Sequence, residues 1–307
     1  MAGAPIARPR FGSRSLLGIG ILALLAGGPA IAAAQDPTAP AEPAKARLVA
    51  DTKAFAPGST FRLGVLFTID PHWHIYWHSA REGGLGTEVA WKLPEGWRAG
   101  ALEWPAPSRF VLPGPLVAYG YEKEVLLQAE ITVPADAAAS GTVTLGAELN
   151  WLVCKEFCVI GKGEPTLALP AGTPAPSPET SRFAAWRAKV PTPAARAGIS
   201  VEDRFQGREG GGTWRVILTF PEGVTPPDAK QVRAFPFDPP GGRLDEGRIE
   251  ADGRRRVFTF EVEIQDAAFR AERLGAVFVW PAPEGADRPP VAVEVRAAAT
   301  EAPKSGS

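Results

Sequence analysis

Two side chains in this 307-residue chain can exchange electron pairs with another protein: Cys154 and Cys158, the only cysteines. They stand in the stretch WLVCKEFCVIGKG, Trp151 to Gly163. Four positions apart on a straight strand they would lie about 13 Å apart, whereas a disulfide needs Cα atoms within roughly 4.4–6.8 Å. If they pair, the chain must turn through Lys155, Glu156 and Phe157. In the chain-entropy treatment so short a ring stabilises by about 2 kcal/mol, against about 3 for a fifteen-residue ring. A chain of this length buries a core without such help. Three chemistries are open to the pair. A thiolate can attack a partner's disulfide and the second thiol resolve the mixed disulfide; the pair can be a static bridge; or it can be half of a zinc shell. The last lacks further ligands, since no H-x3-5-H follows at finger spacing.

Other residues could modulate that chemistry. Glu148 on the approach and Glu156 between the cysteines would raise a nearby thiol's pKa, and Lys155 would lower it. Tyr119 and Tyr121, in the stretch YGYE, fall in a Pro/Gly-rich connection and either cap a reactive disulfide or pack into the core. All three histidines, His72, His74 and His78, lie in PHWHIYWHS. On a strand these even positions share one face and offer a His-x-His pair to copper or zinc; the plain alternative is polar positions on an aromatic-rich strand with Trp73 and Trp77 facing the core.

The elements that must position these residues read as β-structure. Phe61, Leu63, Val65, Phe67 and Ile69 alternate with polar or small residues, the period of a half-buried strand. Similar runs cover 89–93, 125–133 and 143–151, the last delivering the chain to Cys154, and a final strand ends at Leu169. Gly and Pro punctuate the intervals, which predicts an all-β, immunoglobulin-like β-sandwich over 46–170. Residues 171–192 read as a linker, with Pro178 and Glu179 opening a short helix that carries Phe183, Trp186 and Val190. A second, smaller β domain over 193–297 follows from runs at 214–220, 258–264, 277–280 and 291–295. It has no cysteine or histidine.

The N-terminus has the layout of a secretory signal peptide over 1–34: Arg8, Arg10 and Arg14, an apolar run from Leu16 to Ala26, and Ala32-Ala33-Ala34. A Pro/Ala-rich lead-in over 35–45 and a disordered tail over 298–307 are expected at the ends. Cleavage would leave a periplasmic protein with 30 basic against 34 acidic residues. That weakly acidic balance argues against a nucleic-acid partner.

HWHIYWHSAREGGLGTEVAWKLPEGW, LEWPAPSRF, YGYE and WLVCKEFC, in this order, resemble the N-terminal periplasmic domain of the DsbD family of thiol:disulfide interchange proteins, in particular the ScsB-like branch associated with copper tolerance. The resemblance covers about residues 45 to 170 and, more weakly, the second β domain. It implies that Cys154 and Cys158 are a redox pair, with no further cofactor, that passes electrons between thioredoxin-like periplasmic proteins. It also implies that Tyr119 and Tyr121 lie near the family's cap loop. Full-length members continue into a membrane domain and a thioredoxin-like domain; this sequence does not, so the electron donor is expected to be a separate protein, such as a membrane electron carrier.

Overall fold

Apolar alternation of the kind seen around Phe61 is realised strand by strand. The computed structural model describes residues 42–297 except 82–83, 113, 115, 283–284 and 286–288. The expected signal peptide and tail, and the lead-in up to residue 41, lie outside the described residues. No described helix is long and apolar enough to cross a membrane.

The first β domain is a sandwich of two sheets. Its strands are β1 (Ala44–Ala50), β2 (Thr60–Ile69), β3 (His74–Arg81), β4 (Glu88–Lys92), β5 (Arg98–Ala99), β6 (Ser108–Val111), β7 (Val117–Tyr121), β8 (Glu124–Thr132), β9 (Thr142–Cys154), β10 (Cys158–Gly163) and β11 (Thr166–Pro170). One sheet has the order β1-β2-β8-β5; the other runs β10-β9-β3-β7-β6, with β4 and β11 also paired to β9. The four sequence runs coincide with β2, β4, β8 and β9 to within a few residues. Ala44 and Lys45, expected in the lead-in, open β1 opposite Ile69 and Thr68. Leu63, Val65, Phe67, Trp77, Tyr119, Leu127, Leu145 and Leu149 fill the space between the sheets.

The segment read as a linker is bound to this sandwich rather than free. Ser177 Oγ donates to Ala50 O at 2.6 Å and Thr180 Oγ1 to Asp51 O at 2.8 Å. These bonds seat helix α1 (Thr180–Arg187) so that Phe183, 2% exposed, packs on Val49, Leu66 and Leu126. The expectation of a half-buried β2 fails here, because the helix covers the outward face of its middle. Gly64 makes room: a Cβ there would lie 2.6 Å from Leu126 Cδ1.

The second β domain follows β12 (Thr192–Pro193) with β13 (Ser200–Arg208), β14 (Gly211–Thr219), β15 (Arg233–Pro236), β16 (Gly242–Leu244), β17 (Arg248–Asp252), β18 (Arg255–Ile264), β19 (Gly275–Trp280) and β20 (Val291–Arg296). These form the sheets β12-β20-β19-β15 and β13-β14-β18-β16, with β17 also on β18. Trp214, Phe258, Phe260 and Phe278 are fully buried between them.

The two domains share an apolar joint. Phe235, Phe237, Val277 and Ala292 of the second belong to the core of the first. The Phe237 ring lies 5.4 Å from Trp77, and Phe235 lies 5.0 Å from Tyr119, edge to face. Buried ion pairing reinforces the contact: Arg81, its side chain 3% exposed, donates to Asp238 at 3.0 Å and to the Leu244 carbonyl. Replacing a buried phenylalanine by alanine costs about 3–5 kcal/mol through lost transfer energy and the cavity left behind. Denaturant unfolding of Phe237→Ala is therefore expected to show a loss in that range; a loss below about 1 kcal/mol would mean that the joint carries little of the stability.

Candidate functional site: a cross-strand disulfide

β9 and β10 form a hairpin joined by Lys155, Glu156 and Phe157, with the Lys155 N–H donating to the Phe157 carbonyl at 3.1 Å. The register sets Cys154 directly opposite Cys158, and a disulfide joins them with Cα atoms 4.1 Å apart. Their surroundings differ because their strands do. β9 lies inside the sheet between β10 and β3, and Cys154 is 2% exposed; β10 is the sheet edge, and Cys158 is exposed. One sulfur-bearing residue can therefore meet a partner, and the other is held within the protein.

β3 supplies the inner wall. His74 pairs with Cys154 in register, which puts both side chains on the same face. Tyr76, two residues on and thus on that face, carries its hydroxyl to 4.0 Å from Cys158 Sγ. A disulfide sulfur has no proton to give, so the hydroxyl is the donor of this weak contact. Burial raises the Tyr76 pKa and keeps the phenol protonated. On reduction the same hydroxyl would face a thiol or thiolate. Gly84 leaves room for the Tyr76 ring, since a Cβ there would lie 2.2 Å from Tyr76 Cε1, and Thr87 Oγ1 donates to the Tyr76 carbonyl at 2.7 Å.

The hairpin of β6 and β7 supplies the cover. Phe110 stacks on the His74 ring at 4.6 Å and 13°. Phe110 and Leu112 pack with Tyr76, Ala80, Ala118 and Cys154 into one apolar cluster. His74 Nε2 is buried in that wall and has no hydrogen-bond partner among the described residues. Burial pushes the His74 pKa down, opposed by the nearby Glu122 carboxylate. Beside the exposed sulfur the hairpin surface is apolar: Phe157 is 63% exposed and meets Trp73 edge to face, and Ile160, two residues beyond Cys158 on β10, is 68% exposed. Clustered exposed apolar side chains of this kind mark a protein contact.

Several sequence expectations change. Tyr119 and Tyr121 do not lie in a cap loop; both are on β7 and buried in the sandwich core. Tyr121 donates to the Pro105 carbonyl at 2.7 Å, and burial raises the pKa of both phenols. The cover comes from the stretch just before them, Phe110 and Leu112. Its signal in the sequence is the run of three apolar residues in RFVLPGP, beside prolines and outside any alternating run. Glu148 sits six residues before Cys154, across from β4, and pairs with Lys92 at 3.2 Å rather than facing the sulfurs. Lys155 and Glu156 are exposed in the hairpin loop beside the disulfide.

The three histidines do not converge either. Asp70, Pro71, His72 and Trp73 form a turn closed by Trp73 N–H to Asp70 O, with His72 at φ 70° outside β3. Pro followed by a positive φ is the type II pattern. A register irregularity between Tyr76 and Arg81 then takes His78 away from the His74 face, to pack on Trp77, Trp104 and Phe237. Among the described residues no three His, Cys, Asp or Glu side chains are grouped to hold a metal ion.

Residues 45–170 match the family described as "Thiol:disulfide interchange protein DsbD, N-terminal". Among solved structures the chain is similar to the N-terminal periplasmic domain of ScsB from Proteus mirabilis, with 22% identity over 84% of this chain and 95% of that one, and a TM-score of 0.58. That likeness shows a common fold. The YadV chaperone (9% identity, 81% of this chain and 99% of that one, TM-score 0.22) and the Enterococcus faecalis MSCRAMM ACE (10% identity, 81% and 94%, TM-score 0.21) superpose too poorly to inform the site. No curated protein sequence matches the chain. The segment carrying the disulfide thus matches the DsbD N-terminal family model and shares the fold of the ScsB domain.

His78 gives the region around the joint a pH dependence. Desolvation among its aromatic neighbours, with Arg296 adding repulsion, lowers its pKa to about 4, although part of the residue remains exposed. The folded form then binds fewer protons than the unfolded form between about pH 6.5 and 4, so this contribution to stability is lost as pH falls through that window. Unfolding free energies of wild type and His78→Gln measured across it are expected to fall less steeply in the variant; parallel slopes would remove His78 as a source.

Proposed function

We propose that this chain is a periplasmic thiol:disulfide interchange module that passes reducing equivalents between thioredoxin-like proteins through Cys154 and Cys158. The observation that carries the reading is the asymmetry of the pair: Cys158 is exposed at a sheet edge amid apolar side chains, and Cys154 is walled in behind it. The match of residues 45–170 to a thiol:disulfide interchange family supports the same chemistry.

In the oxidising half of the cycle, the Cys158 thiolate attacks a partner's disulfide. A mixed Cys158–partner disulfide forms, and the partner's other sulfur leaves as a thiolate that takes up a proton. Cys154 then loses its proton and attacks Cys158 Sγ, re-forming the intramolecular disulfide and releasing the partner as a dithiol. Two electrons and two protons move from this protein to its partner. The reverse sequence, with a reduced thioredoxin-like donor attacking Cys158 Sγ, reloads the pair. Tyr76 attends the sulfur that enters the mixed disulfide, and the exposed Phe157 and Ile160 offer the partner an apolar footing.

Periplasmic extract challenged with single-cysteine variants tests this directly. Cys154→Ser, which leaves the accessible Cys158, is expected to accumulate mixed disulfides with thioredoxin-like proteins, and Cys158→Ser to accumulate almost none. Equal trapping by both variants, or none by either, would remove the proposed role. A redox titration gives a second check, because an exchanging pair has a potential above about −300 mV and an inert bridge one below it.

A further inference from the structure

The strands that wall in Cys154 are each gripped from the other side by the second β domain. On β6, neighbouring side chains point to opposite faces. Phe110 turns toward His74 and the Cys154 cluster, while Arg109 turns away and meets Glu246 with two hydrogen bonds, Nε to Oε1 at 2.6 Å and Nη2 to Oε2 at 2.7 Å. β7 repeats the arrangement. Ala118 faces the Cys154 cluster, while Tyr119 packs edge to face on Phe235 of the second domain. On β3, Tyr76 and Ala80 belong to the cluster, while Arg81 is bound to Asp238 and the Leu244 carbonyl. Glu246 itself lies between β16, whose Leu244 accepts from Arg81, and β17.

We propose that Glu246 is a positioning residue of the redox site, through which the second β domain holds the β6–β7 hairpin closed over Cys154. The proposal rests on the interchange reading and gives the second domain a part in it. When a thiolate attacks Cys158 Sγ, the departing group is Cys154 Sγ, which leaves with negative charge. With the hairpin closed, that charge develops against Phe110, Leu112 and Ala118, apolar surroundings that disfavour a thiolate. Lifting the hairpin admits water to the leaving sulfur and lowers the barrier. An isolated surface ion pair would hold such a strand weakly. This one is bidentate and only partly exposed, a geometry that makes charge-assisted bonds strong.

The test measures the second-order rate at which dithiothreitol reduces the disulfide of the full folded chain, followed by thiol release. It compares wild type, Glu246→Gln, Arg109→Gln and the swapped pair Arg109→Glu with Glu246→Arg. The single variants are expected to react about fivefold faster, and the swap to return toward the wild-type rate. Amide hydrogen exchange at Phe110 and Leu112, in a sample whose thermal midpoint is within a few degrees of wild type, is expected to rise in the same two variants. Single variants that react at the wild-type rate with unchanged exchange would overturn the proposal. So would acceleration that the swap does not reverse, since that marks general loosening. Because the reductant is a small dithiol, failure to trap a protein partner on Cys158 would count against the interchange reading and leave this result standing.

Discussion

Direct opposition of Cys154 and Cys158 across a three-residue hairpin loop is the constraint on which the rest of the site depends. A disulfide between opposed strands places one sulfur on each strand, and the order of the sheet decides what each meets. β10 has only β9 beside it, so its cysteine faces solvent; β9 is flanked by β3, so its cysteine faces His74 and the cluster around it. The unequal exposure of the two cysteines follows from strand order.

That asymmetry is maintained by close approaches that only small residues allow. At Gly120 a Cβ would lie 2.0 Å from the Ile75 carbonyl, so β7 can lie against β3 only with hydrogen there. Gly84 does the same for the Tyr76 ring, and Gly161 for Trp151, whose ring lies over it opposite in the hairpin. The redox hairpin and its cover are thus set by packing within one sheet, and the second β domain reaches that sheet through Arg81, Arg109 and Tyr119.

Much of this was legible in the sequence, because period-two alternation survives wherever a strand has one face in the core. β2, β4, β8, β9, β14, β18, β19 and β20 announced themselves that way, and the lone cysteine pair at the end of β9 marked the site. The misreadings share a physical cause. Tyr119 and Tyr121 sit near Gly and Pro, the composition of a loop, yet β7 is a strand buried on both faces, so polar and apolar residues do not alternate along it. The histidines share one face only on a straight strand, and a type II turn and a register irregularity interrupt this one. His74 and Tyr76 became site residues only once pairing put His74 opposite Cys154, a long-range fact that local periodicity does not contain.

The exchange mechanism depends on the unequal exposure of two cysteines carried by adjacent strands. In the reduced, folded protein, residue-resolved alkylation by iodoacetamide measures that inequality directly. Cys158 is expected to react at least about tenfold faster than Cys154, because alkylation requires an accessible thiolate. Equal rates, or a faster Cys154, would contradict the division of roles on which the exchange mechanism is built.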